Sequence, residues 1–186
     1  MGRLTVSMNL SLDGFMAAPG EDDGSWLRID APMHRAFNEL AADAAAFVYG
    51  RKVFEYMVPY WPDAVGDATK PDYEREYGGI WVDKPKLVAS RTMREAGWGT
   101  RIVGDDAVQE VARLREATAG YILCYGGAEF VTALQRAGLV DEYVLFVHPT
   151  VLGNGLPFFR DRVNLELMGL RQFPTGSLQL RYGVSR

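Results

Sequence analysis

The chain has 186 residues, of which 48% are hydrophobic and 24% charged, a composition typical of a globular protein. Its formal charge of −4 argues against duplex binding, so we expect no nucleic-acid partner. With one cysteine, the chain cannot form an intramolecular disulfide. With only two histidines and one cysteine, we expect no metal site. The sequence shows neither a signal-peptide core nor a run of roughly 18 apolar residues, and we expect a cytoplasmic chain without membrane contact.

The first half of the chain predicts alternating strands and helices. Residues 3–10 alternate apolar and polar side chains, which is typical of a strand with one buried face. A long loop rich in Gly, Pro and Asp follows to Asp30, which stands at the N-cap of a helix predicted over 31–43. Residues 45–49 predict a short buried strand ended by Gly50, after which a short helix begins.

The second half continues the alternation and ends in a hairpin. Strands are predicted over 86–89, 100–103, 121–124 and 142–147, with helices over 105–117 and 128–137. Residues 164–173 and 178–184 flank Pro174-Thr175-Gly176, which predicts an antiparallel pair. The whole pattern predicts one α/β domain over residues 1–186, with a mostly parallel sheet and an antiparallel C-terminal edge.

Two glycine turns are the main candidates for a binding site, because the motifs GxxxxGK[ST], GxGxxG, GxSxG and HExxH are all absent. Each turn joins a predicted strand to a predicted helix: Tyr49-Gly50-Arg51-Lys52 and Tyr125-Gly126-Gly127-Ala128. Ligands of open α/β sheets bind at the carboxyl ends of strands, where glycine admits a close approach and a helix N-terminus attracts an anion. Two such turns suit a diphosphate, although each glycine alone also fits a purely structural turn.

Cationic and hydroxyl side chains follow the same strand ends. Arg51 and Lys52 come after the first turn, while Ser90, Arg91 and Thr92 come after strand 86–89. A guanidinium makes bidentate contacts with a phosphomonoester, but a single arginine is equally compatible with a solvated surface. Their shared placement at successive strand ends predicts a phosphorylated ligand.

Read together, these residues resemble the dihydrofolate reductase-like superfamily. They are more closely similar to the reductase domain at the C-terminus of the bifunctional deaminase–reductases of riboflavin biosynthesis, and to its free-standing relatives. The segments that carry the resemblance are LTVSMNLSLDGFMA at 4–17, YGRKVFEYM at 49–57, KLVASRTM at 86–93 and YILCYGGAEFVTALQRAGLVDEYVLFVHPTVLGNGLPFF at 121–159. The resemblance implies a three-layer fold with helices on both faces of the sheet and NADPH laid across the strand ends.

The resemblance also assigns roles by position. It implies that the cofactor is held by Gly50, Arg51, Lys52, Val53, Ser90, Arg91, Gly126, Gly127, Ala128, Glu129, Leu152 and Gly153. Within that set, residues 90–91 match the segment that holds the adenosine 2′-phosphate, and residues 126–129 match the diphosphate turn. Asp13, beside the nicotinamide, is the predicted catalytic residue and would position substrate or relay a proton. An Asx-turn with Gly14 is its structural alternative.

Two further features leave alternatives open. Folate-reducing members carry a carboxylate on the first helix, and that region here offers Asp30, His34, Glu39 and Asp43 without a fixed register. The aromatic residues Tyr73, Tyr77 and Trp81 would share a helix face, which fits either core packing or a wall for a flat heterocycle.

The function implied by the resemblance is an NADPH-dependent reductase that passes a hydride to a small heterocyclic or ribosylamino-pyrimidine substrate. It is similar in this to 5-amino-6-(5-phosphoribosylamino)uracil reductase, and the 14–30 loop is a candidate lid. The alternatives are a non-catalytic NADPH-binding or dimeric scaffold module, and a dihydrofolate reductase. Apolar residues on both faces of 142–147 and of the last two strands also predict a homodimer.

Overall fold

A computed structural model describes residues 1–20 and 24–185. Its strands are β1 Arg3–Ser11, β2 Phe15–Ala17, β3 Ala46–Gly50, β4 Lys86–Ala89, β5 Thr100–Val103, β6 Tyr121–Cys124, β7 Glu142–His148, β8 Leu156–Pro157, β9 Leu165–Gln172 and β10 Leu178–Val184. Eight of them form one sheet in the order β5-β4-β3-β6-β1-β7-β10-β9, and β2 pairs separately with β8. The strands from β5 to β7 are mutually parallel, whereas β10 runs antiparallel to both β7 and β9.

Helices cover both faces of this sheet. They are α1 Ala31–Ala42, α2 Arg51–Met57, α3 Trp61–Ala64, α4 Asp72–Asp83, α5 Ala107–Ala117 and α6 Ala128–Arg136. Because side chains alternate along β3, Val48 packs into the cluster that holds α5 and α6, while Phe47 and Tyr49 pack into the cluster that holds α2 and α4. The predicted α/β class, the parallel sheet with its antiparallel hairpin and the three-layer dihydrofolate reductase-like arrangement are confirmed.

The segment 59–85, irregular in the sequence, contains the α3 and α4 helices. Tyr77 and Trp81 lie on the inner face of α4 and are 3% and 0% exposed, so they are core residues rather than a pocket wall. Tyr73 is half-buried and its ring lies 4.8 Å from that of His34. Of the two interpretations offered for this aromatic face, core packing is therefore confirmed for two of its three members.

The first helix begins as its sequence predicts. The Asp30 carboxylate accepts a hydrogen bond from the Met33 N–H at 2.9 Å, which satisfies one of the free donors at the helix start. Its other oxygen accepts from the Thr175 N–H at 3.3 Å. None of the helices in the described part of the chain has the length and apolar character needed to cross a bilayer.

Candidate functional site

The two glycine turns meet at the carboxyl edge of the sheet. Since β3 and β6 are parallel neighbours, Gly50 at the end of β3 and Gly126 just after β6 lie at the same edge, and the Gly50 N–H donates to the Gly126 carbonyl. A Cβ added to Gly50 would lie 2.6 Å from the Gly127 N and 2.8 Å from the Gly126 O. The turns therefore touch through backbone alone, and glycine at position 50 is required by this approach.

The second turn leads directly into α6. Gly126 has φ +88°, and a Cβ there would lie 2.5 Å from the Met8 Cε. The Gly126–Gly127 peptide is cis, and Gly127 caps α6 without any side-chain hydrogen bond. The first N–H groups of α6, beginning at the buried Ala128, therefore point out of the turn without a side-chain cap, which is an arrangement that favours an anion.

The predicted cationic residues lie along the same edge, next to β3. Arg51 forms an ion pair with Glu55 at 2.8 Å, and Lys52 beside it is exposed. Arg91 follows β4, and its side chain is 81% exposed, with Asp105 at 3.8 Å as a loose partner. Because an ion pair at 3.8 Å between exposed groups is weak, Arg91 is available to a phosphate at little cost.

The remaining predicted cofactor residues shape these turns. The Ser90 Oγ accepts from the Met93 N–H at 2.9 Å, so this hydroxyl already orders the turn that carries the arginine. Val53 is half-buried and packs into the core under α2. Glu129 is exposed and lies 3.3 Å from Arg160. The structure thus brings residues 50–53, 90–91 and 126–129 together along one edge, as the sequence predicts.

Asp13 connects the end of β1 to the loop that contains residues 152–153. Its carboxylate accepts hydrogen bonds from the Ser11 Oγ at 2.6 Å, the Leu152 N–H at 3.1 Å and the Gly153 N–H at 2.8 Å. These donors, the Ser11 hydroxyl first, lower the pKa of Asp13, so the group is a carboxylate at neutral pH and has no proton to give.

The structural alternative for Asp13, an Asx-turn with Gly14, does not form. The N–H that such a turn needs, that of Phe15, donates to the Ser11 Oγ at 3.0 Å, and the Gly14 N–H donates to the Ser11 carbonyl. Asp13 instead orders the 152–153 loop across the chain. Its catalytic role stays a prediction, now restricted to positioning or to accepting a proton. The candidate lid forms β2 and pairs with β8, while its residues 21–23 lie outside the described residues.

A buried histidine, which no motif of the sequence indicates, lies at the carboxyl end of β7. His148 is 0% exposed, and its Nδ1 accepts the Arg28 N–H at 2.8 Å. Its Nε2 lies 3.0 Å from the Asn9 Oδ1 on β1. Burial lowers the pKa of His148 to about 4, so the ring is neutral at pH 7. The signal that could have found it is a polar residue closing an otherwise apolar strand, YVLFVH, at the edge where ligands bind.

The first-helix residues weighed as acids have structural partners. Asp30 caps α1, and Glu39 lies 3.2 Å from Arg171. His34 is 7% exposed, surrounded by aromatic rings, with its Nδ1 3.2 Å from the Asn38 Oδ1; burial lowers its pKa. The Asp43 residue forms the C-cap of α1. These contacts favour the structural interpretation of the four residues.

Tyr125, between β6 and the second glycine turn, belongs to an aromatic cluster on the α1 and α4 side of the sheet. Its ring is stacked on that of Tyr49 with centroids 5.2 Å apart, and its hydroxyl accepts from the Tyr77 hydroxyl at 2.9 Å. The residue is itself half-buried. It therefore offers a fixed aromatic surface next to the glycine turn.

Several solved structures share this fold. The chain superposes on a putative riboflavin biosynthesis protein from Shewanella sp. PV-4 with a TM-score of 0.70 at 22% identity, covering 99% of both chains. It matches the deaminase/5-amino-6-(5-phosphoribosylamino)uracil reductase of Thermotoga maritima with a TM-score of 0.69 at 14% identity, over 99% of this chain and 57% of that one. Dihydrofolate reductase from Enterococcus faecalis, complexed with NADP(H), gives 0.65 at 17% identity, over 100% and 98%.

Sequence comparison gives the family. The uncharacterized protein YyaP of Bacillus subtilis is 34% identical over 184 residues, which is 97% of this chain and 94% of that protein. The pattern of the RibD C-terminal domain family matches residues 3–178. The chain belongs to the RibD C-terminal domain family.

Proposed function

We propose that the protein is an NADPH-dependent reductase that transfers a hydride to a planar heterocycle, a ribosylamino-pyrimidine being one candidate. The family and its structural neighbours support a reductase related to riboflavin biosynthesis. The observation that carries the cofactor proposal is the backbone contact between the Gly50 and Gly126–Gly127 turns, beside an exposed Arg91.

The residues at this edge fit a phosphorylated dinucleotide. Gly50, Gly126 and Gly127 carry no side chain, so a diphosphate could approach their backbone closely. The uncapped N-terminus of α6 would bind that diphosphate through its N–H groups, and Arg91 would bind a 2′-phosphate. When bound, NADPH would supply the hydride.

The chain itself would contribute orientation and exclusion of water. Asp13 fixes the 152–153 loop against the end of β1, and β2 pairs with β8 beside it, so the two segments form one wall. Holding both reactants in a fixed geometry lowers the barrier without a dedicated acid. We predict that the protein is located in the cytoplasm.

The role of Arg91 is tested by its preference between two cofactors. Replacing Arg91 with Ala removes a bidentate contact to the 2′-phosphate, which NADH lacks, so NADPH affinity is expected to fall roughly 10- to 100-fold. NADH affinity should change less than about twofold, because none of its groups meets this guanidinium. Nicotinamide fluorescence titrations of both cofactors measure the two constants.

The matched control for this test is Arg94→Ala, a nearby exposed arginine outside the predicted contact set. Equal losses of NADPH and NADH affinity in Arg91→Ala would contradict the assignment. Failure of the unmodified protein to bind NADPH would contradict the proposed cofactor, and binding without oxidation of NADPH by any pterin or pyrimidine would favour the non-catalytic module.

We also propose a homodimer formed through β9. This strand is at the end of the sheet order, so its outer edge has no partner strand among the described residues. The strand carries three exposed apolar side chains, Leu167, Met168 and Leu170, with exposures of 59%, 59% and 60%. Large apolar side chains on an open edge strand favour association with a second copy of the chain. Light scattering is expected to give twice the 20.7 kDa chain mass, and a monomer mass would contradict the dimer.

A further inference from the structure

Asn9 lies beside the second glycine turn, on the α1 side of the sheet. Side chains alternate along β1, which places Asn9 on the face opposite to Met8, and Met8 is the residue whose Cε lies against Gly126. Asn9 pairs in register with Phe146 of β7, whose ring packs on Phe37 of α1 with centroids 4.4 Å apart. Unlike Phe146, Asn9 is only half-buried.

The protonation state of His148 follows from its backbone partner. The Arg28 N–H donates to Nδ1 at 2.8 Å, which requires a lone pair on that nitrogen. The proton of the neutral ring is therefore on Nε2, and this N–H donates to the Asn9 Oδ1 at 3.0 Å. The ring stays neutral at pH 7 because burial lowers its pKa to about 4.

This hydrogen bond fixes the orientation of the Asn9 amide. Turning the amide over would bring its NH₂ group against the Nε2–H of His148, so two donors would face each other and the bond would be lost. With Oδ1 held by His148, the Nδ2 group points away from the histidine. Within residues 1–20 and 24–185, no acceptor takes a hydrogen bond from this Nδ2.

Two half-buried aromatic rings lie on the same face of the sheet as Asn9. Tyr125 presents its half-buried ring beside the glycine turn on the same side of the sheet, and Phe37 of α1 is also half-buried there. A planar heterocycle that reaches this face could stack on such a ring, but stacking does not distinguish one heterocycle from another. A single oriented donor on the same face adds that discrimination.

We propose that Asn9 selects the substrate by donating an Nδ2 hydrogen bond to a ring carbonyl oxygen, with His148 as the positioning residue. The inference rests on the proposed function and deepens it, because it assigns to one residue the choice between a ring that presents a carbonyl and a ring that presents an amino group at the same position. An amino group there would meet the Asn9 donor with its own donor.

Two pyrimidines of matched shape test, at pH 8, whether the site prefers a ring carbonyl to a ring amino group. In 5,6-diaminouracil positions 2 and 4 carry carbonyls, whereas 2,4,5,6-tetraaminopyrimidine carries amines there. The NADP⁺-saturated protein is expected to bind the uracil roughly 10- to 100-fold more tightly in calorimetry. Failure to bind either compound, or an equal affinity for both, overturns the proposal.

The decisive variant is Asn9→Asp, which keeps an oxygen to accept the His148 Nε2–H but replaces the Nδ2 donor with an acceptor. Its preference is expected to reverse in favour of the tetraaminopyrimidine when the variant is saturated with NADP⁺. Asn164→Asp, an exposed residue just before β9, adds the same charge at the opposite edge and should leave the preference unchanged.

A second variant keeps the test independent of the added charge. Asn9→Ala removes the donor, and its ratio of affinities for the two pyrimidines is expected to fall toward one. If either variant still binds NADPH but keeps the original ratio of affinities for the two pyrimidines, Asn9 does not contact the substrate. That result would overturn this inference and leave the reductase proposal standing. Loss of NADPH binding by the unmodified protein would instead remove the reductase proposal itself.

Discussion

Replacing Gly50 with Ala is expected to lower NADPH affinity by roughly 100-fold, because the two turns proposed to hold the diphosphate would move apart and lose contacts worth about 2.8 kcal/mol. The added Cβ would lie 2.6 Å from the Gly127 N and 2.8 Å from the Gly126 O. Both are backbone atoms, so no side-chain rotation relieves the contact and the two turns must separate. The φ of Gly50 is −78°, which alanine adopts without strain, so the whole effect comes from this contact.

The same substitution is expected to reduce the free energy of unfolding by about 1–3 kcal/mol, the usual cost of forcing extra volume into a packed region. Gly66→Ala is the matched control, since a Cβ there meets no atom within 4 Å. Fluorescence titration with NADPH and thermal unfolding measure both effects. If Gly50→Ala binds NADPH as the unmodified protein does, the contact between the turns does not build the cofactor site.

The parts of the site that the sequence predicts are those encoded locally. A glycine turn after a buried strand and before an amphipathic helix is visible in ten residues, and both such turns are where residues 49–52 and 125–128 predict them. The parallel pairing of β3, β4 and β6 then brings these turns to one edge without further information.

The contacts that complete the site join residues far apart in the chain. Asp13 binds the N–H groups of residues 152 and 153, and His148 binds Arg28 and Asn9, across separations of 120 to 140 positions. No local pattern distinguishes an aspartate that holds a distant loop from one that forms an Asx-turn. The choice depends on which donors the folded chain places nearby, so the sequence alone left it open.

The orientation of the first helix is also decided by contacts between distant parts of the chain. The sequence places Asp30 at the start of α1 but does not show which face of the helix meets the sheet. Packing of Met33 and Ala36 against Val144 and Phe146 decides it, and this packing directs the carboxylates of α1 toward structural partners. A proton donor on this helix therefore lacks support from the contacts of these residues.

Replacing Arg115 with Met is expected to reduce the free energy of unfolding by about 3–5 kcal/mol, the cost of removing one member of a buried ion pair. Arg115 is 5% exposed; its Nε donates to the Gly2 carbonyl at 3.1 Å, and its NH2 group lies 2.5 Å from the Asp141 Oδ2. The same carboxylate oxygen accepts the Leu4 N–H at 2.9 Å. One guanidinium thus ties the end of α5 to the starts of β1 and β7.

Arg113→Met is the matched control, because Arg113 belongs to the same helix but its side chain is 69% exposed in its ion pair with Glu110. The loss of this exposed pair is expected to reduce the free energy of unfolding by about 0.5 kcal/mol. Urea denaturation measures both variants, and equal losses would contradict a special contribution from the buried pair. Arg115 lies at the amino edge of the sheet, whereas the proposed cofactor residues follow the carboxyl ends of the strands. The folded Arg115→Met protein is therefore expected to keep its NADPH affinity, which separates loss of stability from loss of the site.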